Sequence, residues 1–352
     1  MHLKSTKDSE NFNALHLSAK YGTLQGTKYL IDLGLDMFDS SSKRGRNAFL
    51  LSIESSKMDQ TKYFIKRDST ILKSADAQNY NALQISATWG TLEVTKFLVN
   101  KHRLDMFENS NDRGRNAFLF STGGKFDIIE KMRFFIKQNP DVLNTVDSYN
   151  YNALHLSAKL GDLEGTQFLV DEHGRDIFDS SNNEGRNAFL LSAEGRGSLT
   201  EPRKSKREQL DFFINRYPDV VNSVDSNKNN ALHISAKTGA LEITEFLVEK
   251  HGFDFFNITN DLGRNAFLVS AEVGELKQMK YFIQKQPNII DSVDSDNFNA
   301  LHLSAQFGTL DGSKFLVEQH GFDIRDSSNK FNQSSIELSD SEEQSVYFRS
   351  LL

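Results

Sequence analysis

Four histidines, His16, His155, His233 and His302, stand in near-identical surroundings: each occupies the phrase N-A-L-H-[LI]-S-A, and a fifth copy carries Gln84 in its place. A column of imidazoles is the first place to look for zinc, which takes N, O or S ligands at about 2 Å. A second set, His102, His173, His251 and His320, closes longer apolar runs, where a cation favours a helix C-terminus and caps it. The carboxylates Asp8, Asp76, Asp147, Asp225 and Asp294 recur once per phrase. Calcium or acid–base chemistry needs carboxylates with close partners, and these are single, so an aspartate bracing a turn is the sounder reading. The chain has no cysteine, which excludes thiolate zinc sites, disulfides and a cysteine nucleophile. It contains no G-x-x-x-x-G-K-[ST], G-x-G-x-x-G, G-x-S-x-G or H-E-x-x-H motif. Neither catalysis nor a cofactor is expected.

A repeat carries these residues. Between the histidine phrases stands a second one, G-R-N-A-F-L, with its asparagine at Asn47, Asn116, Asn187 and Asn265. Taken in order with Asn13, Asn81, Asn152, Asn230 and Asn299, the steps are 34, 34, 35, 36, 35, 43, 35 and 34 residues. One unit is therefore about 34 residues, in two alternating forms, A (histidine) and B (arginine). Each form holds a short helix, a turn and a second helix. In the fourth A unit Ala231, Leu232, Ser235 and Ala236 keep helical spacing, Gly239 breaks the run, and Ile243, Phe246 and Leu247 resume it. The last full B unit shows Leu276, Met279, Phe282 and Ile283. Helices this short are marginal alone, so units must bury their faces on one another in a solenoid. Successive A units then lie roughly 16–20 Å apart, too far for two of the histidines to share a metal.

Exceptions to the spacing carry information. The step of 43 holds nine extra residues within Gly195 to Lys206; Gly195 to Arg207 contains five basic residues and one acid. An exposed, mobile loop between the two helices of a B unit is expected there, and Pro202 to Arg207 reads equally as a nuclear-import signal, a phosphate-binding patch or a solvated loop. Residues 1–7 echo the tail of a B unit, since Leu3-Lys4-Ser5 matches Leu72-Lys73-Ser74. The array proper spans 8–333, about nine full repeats. Asn332 to Leu338 reads as a degraded tenth unit, and 334–352 as its continuation into a polar C-terminal cap.

At these positions the chain resembles the ankyrin repeat, D-x-x-G-x-T-P-L-H-x-A-A-x-x-G. Asp225, Leu232, His233, Ala236 and Gly239 match in one unit; Asp147, Leu154, His155, Ala158 and Gly161 match in another. The likeness covers roughly residues 8 to 340. Thr-Pro is Asn-Ala throughout, which keeps a helix N-cap. In A units the turn glycine is Asn11, Asn79, Asn150 and Asn297, and once Lys228; B units replace the histidine by Leu50, Leu119, Leu190 and Leu268. The resemblance implies an all-α ankyrin-repeat solenoid: paired short antiparallel helices, β-turn or hairpin-like loops and a length of roughly 80–100 Å by helix packing. It implies that His16, His155, His233 and His302 are structural, tying a helix start to its neighbour. It also implies protein partners and no activity of the array's own.

On such arrays the residue after the turn glycine and those before the inter-helix glycine face the partner groove. Carried over, these are Phe12, Tyr80, Tyr151, Asn229 and Phe298 alternating with Arg46, Arg115, Arg186 and Arg264, together with Tyr21, Trp89, Leu160 and Phe307. Aromatic and arginine side chains are the usual interface anchors, and such rungs suit an extended or helical acidic segment. The other reading of the arginines, pairing with a neighbouring aspartate, stays open beside it.

The whole chain, 352 residues with a formal net charge of -7, argues against general nucleic-acid binding; no apolar run reaches the ~18 residues of a membrane span. The polar start lacks a secretory signal, so a cytoplasmic location is expected, or a nuclear one if Pro202 to Arg207 is an import signal. The expectation is a monomeric scaffold or adaptor. The alternative is the regulatory or sensing arm of a larger channel or enzyme whose N-terminal part is missing.

Overall fold

The computed structural model describes residues 6–39, 42–101, 110–195, 202–320, 327–339 and 341–351. Contacts divide the chain into two compact units, Met1–Ser157 with Glu164–Phe178, and Ala158–Leu163 with Asp179–Leu352. Both are all-α, and among the described residues the only β-type pairings are two isolated bridges, Ala75 to Asn81 and Val293 to Asn299.

Every repeat starts the same way because Asn-Ala dictates it. Asn13, Asn47, Asn81 and Asn116 in the first unit, and Asn187, Asn230, Asn265 and Asn299 in the second, sit in extended backbone and accept the N–H three residues on. That is the N-cap geometry, and alanine then fills the first helical position at no side-chain entropy cost. The other end of the asparagine is used as well: the amides of Asn47, Asn187 and Asn265 donate to Ser74, Ser223 and Ser292 at 2.8–2.9 Å. One residue type therefore starts a helix and pins it to the turn that follows the next one.

In the first unit the first helices of the repeats are Ala14–Tyr21, Ala48–Glu54, Ala82–Thr88 and Ala117–Ser121; the second are Leu24–Asp32, Met58–Arg67, Leu92–Lys101 and Ile128–Gln138. In the second unit Ala231–Lys237, Ala266–Val273 and Ala300–Gln306 pair with Leu241–His251, Leu276–Lys285 and Leu310–His320. First helices pack on first helices of adjoining repeats, with Phe49, Phe118, Phe189 and Phe267 wholly buried. Within a repeat the two helices share a hydroxyl pair, part-buried for Ser18 with Thr27 and buried for Ser52 with Thr61, Ser86 with Thr95 and Ser235 with Thr244, at 2.8–3.2 Å. All four prolines stand at helix starts: Pro140, Pro218 and Pro287 open 3-10 turns, and Pro202 opens the helix Pro202–Arg216. There the missing N–H costs nothing and the fixed φ is already helical.

That last helix corrects the expected basic loop. Residues 196–201 lie outside the described residues, but Pro202 to Arg207 form helical turns. Lys206 is fully buried, its Nζ donating to the Leu191 carbonyl at 3.0 Å. Lysine, arginine and glutamate after a proline are good helix formers, so the insertion lengthens the second helix of its repeat.

Turn tips follow from a left-handed residue in each repeat. Asn11, Asn79, Asn150 and Asn297 have φ of 60–63°, and Lys228 adopts 57° despite its side chain. B units use Gly45, Gly114, Gly185 and Gly263 at 70–74°. At Gly45 a Cβ would also lie 2.6 Å from the Ala77 nitrogen, because Ala77 N–H donates to Arg44 in the preceding tip. Equivalent tip-to-tip bonds run from Ser148 to Arg113, Ser226 to Glu184 and Ser295 to Leu262.

Candidate protein-interaction face

The four phrase histidines are consumed by the fold. In His233 the ring Nδ1 accepts from the Asn230 N–H at 3.3 Å and Nε2 lies 2.9 Å from the Arg264 carbonyl, one repeat further on. His16 reaches Asp39 and His302 reaches Ser327 in the same way, at 2.7 and 3.2 Å. An acceptor Nδ1 with a donor Nε2 is the neutral imidazole, and burial holds the pKa of His16 and His302 below the ordinary value and that of His233 at about 4. Gln84 reproduces both contacts, its Oε1 accepting from Asn81 and its Nε2 donating to Arg115 O. His155 sits against Asn152 likewise. Among the described residues no three His, Asp or Glu side chains converge as metal ligands. In the second set His173 and His251 end their helices; His102 and the side chain of His320 lie outside the described residues.

Four of the five turn aspartates work with both oxygens, while Asp8 uses one, accepting from the Glu10 and Phe12 N–H groups. One oxygen of Asp76, Asp147, Asp225 and Asp294 accepts the N–H groups two and four residues on; the other takes an arginine from the preceding B unit. The Nε atoms of Arg46, Arg115, Arg186 and Arg264 lie 3.0, 2.9, 3.4 and 3.0 Å from Asp76, Asp147, Asp225 and Asp294. The arginine column proposed for partners is thus first an inter-repeat clamp. Arg46 is the extreme case: it also meets Glu54 at 2.9 Å, has its Cζ over the Trp89 ring 4.2 Å from the centroid, and keeps only 2% of its side-chain surface. It has no free edge for a partner, and Trp89 is half-buried as its lid.

The aromatic rungs split into two groups. Those after the tip residue pack inward: Phe12, Tyr151 and Phe298 stand 5.8–6.0 Å from the rings of His16, His155 and His302, while Tyr80 lies 4.7 Å from Phe120 and 6.1 Å from Trp89. Tyr151 and Phe298 are buried, which removes them as free contacts. Those before the inter-helix glycine stay out: Tyr21, Leu160 and Phe307 are exposed. In the first unit the structure brings three of the expected residues together, since Phe12, Tyr21 and Arg46 line one hollow of about 270 Å³ with Lys20, Lys43, Glu10 and Glu54. Lys20 lies over both Phe12 and Tyr21, at 5.1 and 5.3 Å, and meets Glu54 at 3.8 Å.

A second feature escaped the sequence reading. On the second helices a cation of one repeat lies over an aromatic ring of the next: Lys28 on Tyr63, Lys62 on Phe97, Lys96 on Phe134 and Arg133 on Phe168 in the first unit, and Lys280 on Phe315 and Lys314 on Tyr347 in the second, at 5.1–5.9 Å. The signal was a Lys-aromatic dipeptide recurring at the repeat length, Lys28-Tyr29, Lys62-Tyr63, Lys96-Phe97, Lys280-Tyr281 and Lys314-Phe315. Read along one helix it looks like a solvated face; only stacking shows that each cation serves the neighbour.

Comparison with known families agrees with this geometry. A model of ankyrin repeats in three copies matches residues 15–109, and a single ankyrin-repeat model matches 227–261. This is an ankyrin-repeat protein. The ankyrin chain is 25% identical over 218 residues to the NAD-dependent deacetylase sir2B of Dictyostelium discoideum, covering 59% of this chain and 26% of that protein. It is 25% identical over 119 residues to alpha-latroinsectotoxin-Lt1a of Latrodectus tredecimguttatus, covering 33% of this chain and 8% of the toxin. Alpha-latrocrustotoxin-Lt1a of the same spider is 20% identical over 230 residues, covering 64% of this chain and 15% of the toxin. The ankyrin chain spans about a quarter or less of these relatives. Ankyrin repeats are in general protein-interaction modules, and no described helix here is long and apolar enough to cross a membrane.

Proposed function

We propose that this ankyrin array is a non-catalytic scaffold that holds a partner protein on the face formed by its turn tips and first helices, the concave face of such arrays. One observation carries the reading. Once the arginines and inward rings are committed to the fold, the positions before the inter-helix glycine still present Tyr21, Leu160 and Phe307 to solvent, and Tyr21 borders a hollow with charges of both signs. Exposed aromatic side chains beside a polar rim form the anchor pattern of interfaces, and a stiff stack binds with little ordering cost. Every buried ionisable side chain described above has a structural partner, which supports a role without chemistry of its own. A quantitative pull-down comparing the wild-type chain with Tyr21→Glu combined with Phe307→Glu tests it. Both sites are exposed, so the variant should keep its melting point and lose a specific partner. Equal recovery from both chains removes this face from consideration.

A second reading is the regulatory arm of a longer protein, in the cytoplasm or nucleus. It is favoured by the matched relatives, in which a stretch like this one makes up a minor part of the chain. An upstream reading frame continuing the repeat would support it.

A further inference from the structure

We propose that Arg115 is a preformed slot for one carboxylate of a partner segment, which deepens the scaffold reading and rests on it. The four B-unit arginines share a position and an aspartate, but three of them have a second carboxylate eight residues on. Arg46 Nη1 meets Glu54 at 2.9 Å, Arg186 Nη1 meets Glu194 at 2.8 Å, and Arg264 Nη1 meets Glu272 at 2.9 Å. In the second B unit that place is Gly123, and among the described residues the only carboxylate on Arg115 is Asp147, at 2.9 Å on Nε. The exposure follows the missing partner: the Arg115 side chain is 26% accessible, against 2%, 18% and 11% for Arg46, Arg186 and Arg264.

A guanidinium keeps its charge at any physiological pH and offers five donors in a fixed fork. With Nε held by Asp147, the outer edge of Arg115 is oriented before anything binds. The chain itself shows three times what that edge takes: a glutamate oxygen 2.8–2.9 Å from Nη1. The walls differ in a way that suits a protein segment. The hollow at Arg46 is lined by Phe12, Tyr21 and Leu51; the residues at the same repeat positions beside Arg115 in the sequence pattern are Tyr80, Trp89 and Phe120, of which Tyr80 lies 4.7 Å from the Phe120 ring and 6.1 Å from the Trp89 ring, itself stacked with Arg46. An aspartate or glutamate flanked by an apolar residue matches that combination of one unpaired cation edge and an aromatic wall. A dianionic phosphate matches it less well, because a single cation already shared with Asp147 leaves most of its charge unbalanced.

The same comparison supplies the test, since Gly123→Glu places the missing carboxylate in the chain. Gly123 is not in a left-handed conformation, so glutamate is compatible with its backbone. A random displayed-peptide library is selected on the full wild-type chain, and the recovered peptides are resynthesised with each acid replaced by its amide. The expected result is one acidic residue whose replacement weakens binding about tenfold or more, with a similar loss on Gly123→Glu, which melts no lower than wild type. Arg115→Lys, which keeps the charge but not the fork, should lose a comparable amount and guards against a folding artefact in the glutamate variant. Peptides that bind Gly123→Glu and Arg115→Lys as they bind wild type overturn the slot and leave the scaffold reading standing. Failure of the wild-type chain to select any peptide overturns both.

Discussion

At the scale of the residue, the histidines show how far chemistry and architecture look alike in a sequence. A repeated imidazole reads as a ligand until its two nitrogens are traced to a backbone N–H and the carbonyl of the following repeat. Because burial lowers the pKa of His233 to about 4, the folded chain binds fewer protons there than the unfolded chain, whose histidine titrates near 6.5. Its stabilising contribution is therefore complete above pH 6.5 and is lost as pH falls towards 4. Urea titrations of wild type and His233→Gln should show it: the stability of wild type relative to the variant falls from pH 7.5 to pH 4.5, since glutamine keeps both bonds, as Gln84 does, and does not titrate. His233→Ala should cost about 2–3 kcal/mol at pH 7 through the lost bonds and packing. A gap that does not change with pH means the ring is not held neutral. The histidine role was legible through the repeat pattern, whereas the fate of the arginines was not. Sequence puts Arg46 and Arg115 in identical phrases, and only the residue eight places later, Glu54 or Gly123, decides which is sealed and which is open.

At the scale of the element, helix starts were readable because they depend on local chemistry: Asn-Ala caps a helix wherever it falls. Helix-to-helix contacts were not, because their partners lie about 34 residues away, and the columns show only when repeats are laid over one another. The glutamine column on the second helices is such a case. Gln60 donates to Ser18 O at 2.9 Å, Gln278 to Ser235 O at 3.2 Å and Gln344 to Ser304 O at 3.0 Å, each reaching into a repeat before its own. In the helix Ile128–Gln138 the position is Lys131, fully buried, its ammonium donating to the Ala87 and Gly90 carbonyls at 2.9 and 2.6 Å. Desolvation lowers its pKa from 10.5 to about 8, so below pH 8 the fold carries the cost of a buried charge, and that cost is relieved as pH rises from 8 to 10.5. Lys131→Gln restores the column. It should stabilise the chain by about 1–2 kcal/mol at pH 7, measured by thermal denaturation, and abolish the rise in stability between pH 8 and 10.5. A loss of stability in this variant means that the ammonium contributes more through its carbonyl contacts than burial takes away.

At the scale of the molecule, a chain whose contacts run between neighbouring repeats should lose stability locally when one end is removed. The described C-terminal residues allow this to be tested, since Glu342–Ser350 occupies the place of a second helix. Phe348 is fully buried, Gln344 fills the glutamine column against Ser304 and Ser313, and Lys314 lies over Tyr347 at 5.6 Å. Removing everything after Ser339 strips these partners from Ala300–Gln306 and Leu310–His320 and leaves the Ser304 carbonyl and the Ser313 hydroxyl without the Gln344 amide. Losing one buried phenylalanine costs about 3–5 kcal/mol. Amide exchange in the two helices should accelerate about tenfold or more, while Ala14–Tyr21, separated by many repeat interfaces, keeps its protection. Uniform acceleration along the chain would mean that the array opens as one cooperative body. Partner binding at the N-terminal hollow and folding at the C-terminal end would then be coupled, instead of being the separable properties that nearest-neighbour contacts imply.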